Sequence, residues 1–136
     1  MSAAPKTCGQ EIKVLLVDDS TAFLESTMQS LRRHKDVSIV DIAFNAKDAL
    51  WAVNKYKPDV IVLDVEMPDR SGLEILPELK AKSPDSKIII LTLFDNPAYR
   101  GLAEQAGADG FLTKWQIVRL LYPMIQSSFQ DKQCEA

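Results

Sequence analysis

The sequence predicts a single α/β domain built on a parallel sheet with right-handed crossovers. Three observations carry this. Short apolar runs alternate with longer amphipathic stretches along the chain. Three of those runs, centred on Val14–Val17, Val60–Leu63 and Ile88–Leu91, are almost continuously hydrophobic and rich in β-branched residues, which suits strands covered on both faces. A chain of 136 residues, 46% hydrophobic and 26% charged, holds enough sequence for one core but not for two, and this composition disfavours disordered, collagen-like and coiled-coil readings.

Five strands are expected, over Ile12–Val17, Val37–Ala43, Val60–Leu63, Lys87–Leu91 and Gly110–Thr113. The second interleaves Ser38 and Asp41 among apolar residues and the fifth is short, so both are placed at sheet edges. Between them fall five helices. The first carries Leu24, Met28 and Leu31 after Ser20 or Thr21 as cap, and its last turn holds Arg32, Arg33, His34 and Lys35, which suit a carboxyl-terminal dipole. Asn45 caps a second helix with Ala49, Leu50 and Val53 inside, stopped by Pro58. Ser71 caps a third with Leu73, Leu76 and Leu79, stopped by Pro84. The fourth starts at Asp95 or Asn96 before Pro97, contains Gly101 and ends at Gly107, which makes it the loosest of the set. A fifth shows an apolar stripe of Ile117, Leu120, Leu121, Met124 and Ile125, with a kink or early break expected at Pro123.

The net charge of −3 and the lack of a long basic stretch argue against direct nucleic-acid binding. No apolar run approaches the length of a membrane span and residues 1–11 lack a signal-peptide core, so the expected address is cytoplasmic, without membrane association. Cys8 and Cys134 lie in the polar ends without metal-ligand spacing and read as free thiols.

Ligands of parallel α/β sheets collect beyond the carboxyl ends of the strands, where strand order reverses. At those ends the sequence places Asp18 and Asp19, then Asp64, Thr92 and Lys114. Charged residues often simply terminate strands, but five chemically related groups at the same end of the sheet point to a site. Carboxylates held about 4 Å apart at an effective dielectric near 20 repel by about 4 kcal/mol per pair, so the cluster needs a cation or a proton. Oxygen-only ligands with few carboxylates suit Mg²⁺, which keeps waters and recruits phosphate oxygens, whereas zinc would call for cysteine or histidine. An aspartate can act as nucleophile toward phosphorus and give an acyl phosphate. Asp64 stands alone at the end of the central strand and is best placed for that role, Asp18 and Asp19 can share the metal, Lys114 supplies an ammonium and Thr92 a hydroxyl.

Four segments, in order and at these intervals, resemble the receiver domain of bacterial two-component response regulators. They are Val17-Asp18-Asp19-Ser20, then Val62-Leu63-Asp64-Val65-Glu66-Met67-Pro68 with Gly72 beyond, Ile90-Leu91-Thr92, and Gly107-Ala108-Asp109-Gly110-Phe111-Leu112-Thr113-Lys114. The resemblance covers residues 12–130, with 1–11 expected to be a disordered N-terminal segment and 131–136 a polar C-terminal tail. It implies a flavodoxin-like (βα)5 doubly wound sheet of order 2-1-3-4-5. It further implies a signalling switch rather than an enzyme: Asp64 takes a phosphoryl group from the phosphohistidine of a sensor histidine kinase or phosphotransfer protein, in a Mg²⁺-dependent reaction. Asp18, Asp19, Asp64 and the backbone carbonyl of Glu66 are then the metal ligands, and Thr92 and Phe111 the switch pair. The surface of the fourth helix, fifth strand and fifth helix carries the output to a partner, to an attached or excised DNA-binding domain, or to a homodimer, with Tyr99, Trp115 and Tyr122 as candidate contacts.

The sequence departs from the family pattern in several places. Trp115 follows Lys114 where the family usually has proline, and reads equally as a surface anchor or as a cover for the sheet edge. Leu93 and Phe94 follow Thr92 where a small residue is usual, and Glu66 adds charge two residues past Asp64; these three are expected to tune dephosphorylation. One neutral hydrogen bond from Thr92, about 1 kcal/mol net, falls far short of the roughly 5.5 kcal/mol that moves an equilibrium from 1:99 to 99:1. A pre-populated active state or further contacts must supply the rest.

Two competing readings fit less well. A Mg²⁺-dependent aspartyl-phosphate phosphatase of the haloacid dehalogenase type carries an Asp-x-Asp pair after its first strand, whereas Asp18 and Asp19 are adjacent. A flavodoxin-like phosphate-binding module needs hydroxyl and amide donors where these two acids stand.

Overall fold

The computed structural model describes residues 11–93 and 95–133. Cys8, Phe94, Cys134 and the segments 1–10 and 134–136 lie outside the described residues. The elements are β1 (Ile12–Val17), α1 (Thr21–Arg32), β2 (Val37–Ala43), α2 (Ala46–Tyr56), β3 (Val60–Asp64), α3 (Gly72–Lys82), β4 (Lys87–Thr92), α4 (Pro97–Ala106), β5 (Gly110–Thr113) and α5 (Tyr122–Gln133). A 3-10 turn (Lys114–Gln116) and a π-helical turn (Ile117–Leu121) connect β5 to α5. All strand pairings are parallel, in the order β2-β1-β3-β4-β5. This is the doubly wound, flavodoxin-like arrangement that the resemblance implies.

Strand periodicity builds the two cores. Successive residues point to opposite faces of a sheet. Leu15 and Val17 of β1 therefore join Ile61 and Leu63 of β3 on the face packed by α2, α3 and Ala103 of α4. Val14 and Leu16 join Val60 and Val62 on the face covered by Leu24 and Leu31 of α1 and by Ile117, Leu121 and Ile125. Since both faces are covered, the central strands must be apolar throughout, which is what made them visible in the sequence. Most of β2 is half-buried, as an edge strand should be, and β5 closes the other edge with four residues.

The helix starts follow local chemistry. Ser20 caps α1 by accepting from Phe23 N at 3.3 Å, and Asn45 caps α2 by accepting from Asp48 N at 2.8 Å. Ser71 accepts from Leu73 N to cap α3, and Asn96 accepts from Ala98 N to cap α4 ahead of Pro97. Gly107 ends α4 at φ 104°, a left-handed conformation that favours glycine. Ala103 is the buried residue of α4, so this helix is held by little packing, in line with its loose sequence.

The segment after β5 corrects one expectation. The 3.6-residue stripe assigned Leu120 to the core, but Leu120 is 42% exposed. The π turn widens the spiral and selects Ile117, Leu121 and Ile125, four residues apart, as the buried set. Pro123 is the second residue of α5 and directly follows the π turn, so the expected break at Pro123 takes the form of a change of helical spiral just before it. The helix runs to Gln133. Among the described residues no helix is long and apolar enough to cross a membrane.

Candidate functional site

The strand order reverses between β1 and β3, because the chain moves from β1 outward to β2 and then returns to β3 on the other side. Register aligns the carboxyl ends there. Val17 pairs with Leu63, Asp64 with Leu91, and Thr92 with Thr113, so the residues that follow or close these strands stand side by side.

Asp18, Asp19 and Asp64 each offer a carboxylate oxygen within 4.8 Å of the others. Asp18 and Asp64 are buried and Asp19 is exposed, so the cluster opens to solvent on one side. Lys114 reaches in from the turn after β5, with Nζ 2.8 Å from Asp18 Oδ2 and 3.5 Å from Asp64 Oδ2. The same ammonium lies 4.5 Å from the centroid of the Phe23 ring, which places an aromatic face of α1 beneath it. Ser20 N donates to Asp18 Oδ1 at 2.9 Å, so the start of α1 orients this carboxylate. Thr92, the last residue of β4, is buried at the same end of the sheet.

Glycine at position 72 lets α3 start directly against the end of β3. Its N–H donates to Val65 O at 2.8 Å, and a Cβ there would lie 2.1 Å from Asp64 O. The connecting loop is held by Asp69, whose carboxylate accepts from Ala46 N and Lys47 N at the start of α2 and from Arg70 N. Those hydrogen bonds, led by Ala46 N–H, hold the Asp69 carboxyl below its ordinary range. Asp69 is a site-supporting residue that sequence pattern alone does not single out. Its signal was an acid between Pro68 and the capping Ser71, but the segment it binds is 22 and 23 residues away.

Electrostatically the cluster is unfinished. Burial, and next the charge of Asp18, push the Asp64 carboxyl up to about 7; Lys114 and the Glu66 N–H, which donates to it, pull the other way. Asp18 Oδ2 is buried and in ionic contact with Lys114 but makes no well-directed hydrogen bond. One ammonium thus faces two buried acids and one exposed acid. An under-satisfied buried oxygen amid hard oxygen donors fits a small divalent cation, Mg²⁺ by donor type, at Asp18, Asp19 and Asp64. A groove of about 290 Å³ lined by Met28, Leu31, Arg32, Val37, Ile39, Asp41 and Ile42 lies along the β2 edge and shares no residue with the cluster.

Phe111 is half-buried beside Ile90, with the Arg100 guanidinium 4.6 Å from its ring centroid, so it sits under α4 rather than within the acidic cluster. Glu66 is exposed in the loop after β3, and Leu93 is partly exposed. Trp115 follows Lys114 through a trans peptide. The residue is 79% exposed, and its indole Nε1 donates to Leu93 O at 3.2 Å. Tyr122 is not a free surface contact. Its ring stacks on His34 at 3.4 Å and its hydroxyl lies 2.8 and 2.9 Å from the two carboxylate oxygens of Asp36.

The sequence matches the response regulator receiver domain over residues 14–126. The chain belongs to this family. It is 40% identical over 103 residues to the uncharacterized transcriptional regulatory protein YvfU of Bacillus subtilis, covering 76% of this chain and 52% of that one. It is 37% identical over 103 residues to the transcriptional regulatory protein DesR of the same organism, covering 76% and 51%. Among solved structures, a DNA-binding response regulator of the LuxR family from Staphylococcus aureus superimposes with a TM-score of 0.79 at 29% identity, covering 85% of this chain and 97% of that one. This receiver domain spans about half the length of the curated relatives it matches.

Proposed function

We propose that this receiver domain is a phosphorylation-dependent signalling switch in which Asp64 is the phosphoacceptor. The observation that carries the reading is the Asp64 carboxylate at the end of β3, clustered with Asp18 and Asp19 and faced by Lys114 Nζ at 3.5 Å. The donor is a phosphohistidine on a sensor kinase or phosphotransfer protein. A carboxylate oxygen of Asp64 forms a bond to phosphorus as the P–N bond breaks, the electron pair returns to the imidazole, and that ring takes up a proton.

Asp18, Asp19, Asp64 and the backbone carbonyl of Glu66 would hold Mg²⁺, which neutralises phosphoryl oxygen charge when bound. The chain's own groups do the rest. Lys114 balances the acids before transfer and supplies an ammonium to a phosphoryl oxygen afterwards. The Thr92 hydroxyl donates to another oxygen once it exists, and this draws the end of β4 inward. Phe111, lying between Ile90 and Arg100, responds by packing alone, since it carries no hydroxyl. The output surface is α4, β5 and α5. Of these α4 is the least anchored and the natural element to move. Glu66 and Leu93, at the rim of the cluster, tune how long the phosphoryl group survives.

The relatives named above are transcriptional regulators about twice the matched length, which supports control of a DNA-binding output domain, a docked partner or a homodimer. On this reading the domain itself neither turns over a substrate nor touches nucleic acid, and it works in the cytoplasm. Incubation with Mg²⁺ and acetyl phosphate followed by intact-mass measurement tests the proposal. A single phosphoryl adduct, absent from Asp64→Ala, is the expected result. Multiple turnover of phosphate esters without an adduct would instead indicate a phosphatase.

A further inference from the structure

Lys114 and Trp115 are neighbours on the turn after β5 and reach in opposite directions. Lys114 enters the acidic cluster. Trp115 stays outside it, and its indole N–H reaches back to the carbonyl of Leu93, the residue directly after Thr92. The β4–β5 ladder ends at Thr92 opposite Thr113, so this hydrogen bond is one additional rung, made by a side chain, beyond the last rung of the sheet.

An indole serving as a sheet cover would bury its ring. Here 79% of the residue is exposed, while its single donor is committed to a main-chain carbonyl. The bond therefore ties the strand end that carries the Thr92 hydroxyl to the turn that carries the Lys114 ammonium. Beyond Leu93 the chain leads to Asn96 and to α4, whose buried residue is Ala103.

We infer that Trp115 is a positioning residue that latches Leu93, at the end of β4, in the unphosphorylated arrangement, and that inward movement of Thr92 releases it. The inference rests on Asp64 being the phosphoacceptor. Leu93 follows Thr92 directly, so a hydroxyl drawn toward a phosphoryl group on Asp64 displaces the Leu93 carbonyl from the position at which the indole meets it. A contact made in one arrangement and broken in the other opposes loading by its own strength.

The test uses the full chain, Mg²⁺ and beryllofluoride as a phosphoryl analogue. Trp51 and Trp115 are the two tryptophans of the sequence, so Trp51→Phe leaves Trp115 as the sole indole emitter. Its emission is expected to shift on loading. Trp115→Phe keeps a ring and removes the N–H; by calorimetric titration it is expected to bind beryllofluoride about two- to fivefold more tightly than wild type, the strength of an exposed neutral hydrogen bond. Equal or weaker binding by Trp115→Phe, or an unmoved Trp115 emission while calorimetry shows loading, overturns the latch. Absence of any Asp64-dependent loading in the wild-type chain refutes the phosphoacceptor reading itself, and the latch with it.

Discussion

Gly72 stands against the end of β3 so closely that a Cβ on it would lie 2.1 Å from the carbonyl oxygen of Asp64. The proposed phosphoacceptor is therefore positioned from behind by the first residue of α3. Gly72→Ala must push that helix and the Asp64 backbone apart. The expected cost is about 2 kcal/mol or more, in the range of overpacked cores, together with weakened metal binding. Urea unfolding and Mg²⁺ titration check this, and a variant with unchanged midpoint and Mg²⁺ affinity contradicts it.

Buried like charges make the metal-free domain less stable than its packing permits. Asp18 and Asp64 share one ammonium, and Asp18 Oδ2 lacks a well-directed hydrogen bond. Asp64→Asn removes one charge from the cluster. In metal-free buffer at pH 8 it is expected to raise stability by roughly 1–3 kcal/mol, the scale of relieving a buried carboxylate pair. Mg²⁺ should then stabilise the wild type and leave the variant nearly unmoved. Urea melts with chelator and with added Mg²⁺ give both comparisons.

Tyr122 supplies a pH signature at the opposite end of the sheet. Burial, with the hydrogen bond to Asp36 and its charge as further causes, pushes its phenol up from 10 to about 12. An acid whose folded pKa lies above its unfolded one favours folding below pH 10, and this contribution is lost as pH rises from 10 through 12. Ultraviolet titration of wild type against Tyr122→Phe should therefore show no difference in phenolate at pH 10 while both are folded. A difference of half a phenolate at that pH contradicts the contact.

Asp69 gives the opposite sign. Its carboxyl is held below the ordinary value of 3.8 by the Ala46, Lys47 and Arg70 N–H groups. Its contribution is present above pH 3.8 and is lost as pH falls below that value. Asp69→Ala is expected to lower the urea midpoint at pH 7, with the gap to wild type closing under acid conditions. Melts at pH 7 and pH 3 decide it.

What could be read from the sequence followed from how local each signal is. Val60–Leu63 and Ile88–Leu91 were legible because strands covered on both faces must be apolar at every position. Asp18, Asp64, Thr92 and Lys114 were legible as a set because parallel topology carries every strand end to one edge, whatever the crossover lengths. Leu120 was misassigned because helical periodicity assumes 3.6 residues per turn and a π turn breaks the phase. Pro77 lies inside α3 without ending it, on the exposed side of the helix, where tertiary packing outweighs the lost hydrogen bond. The contacts of Tyr122 with Asp36, Asp69 with Ala46 and Trp115 with Leu93 join residues 86, 23 and 22 positions apart. No local pattern marks such pairs, because the fold alone brings them together.

The central claim is that Asp64 becomes an acyl phosphate, and borohydride reduction of the phosphorylated chain tests it most directly. Hydride converts an aspartyl phosphate to homoserine and leaves free carboxylates untouched. After Mg²⁺ and acetyl phosphate treatment, peptide mass spectrometry is expected to find homoserine at position 64 and aspartate at positions 18 and 19. Homoserine elsewhere, or aspartate retained at 64 in a chain that has gained phosphate, would contradict the account.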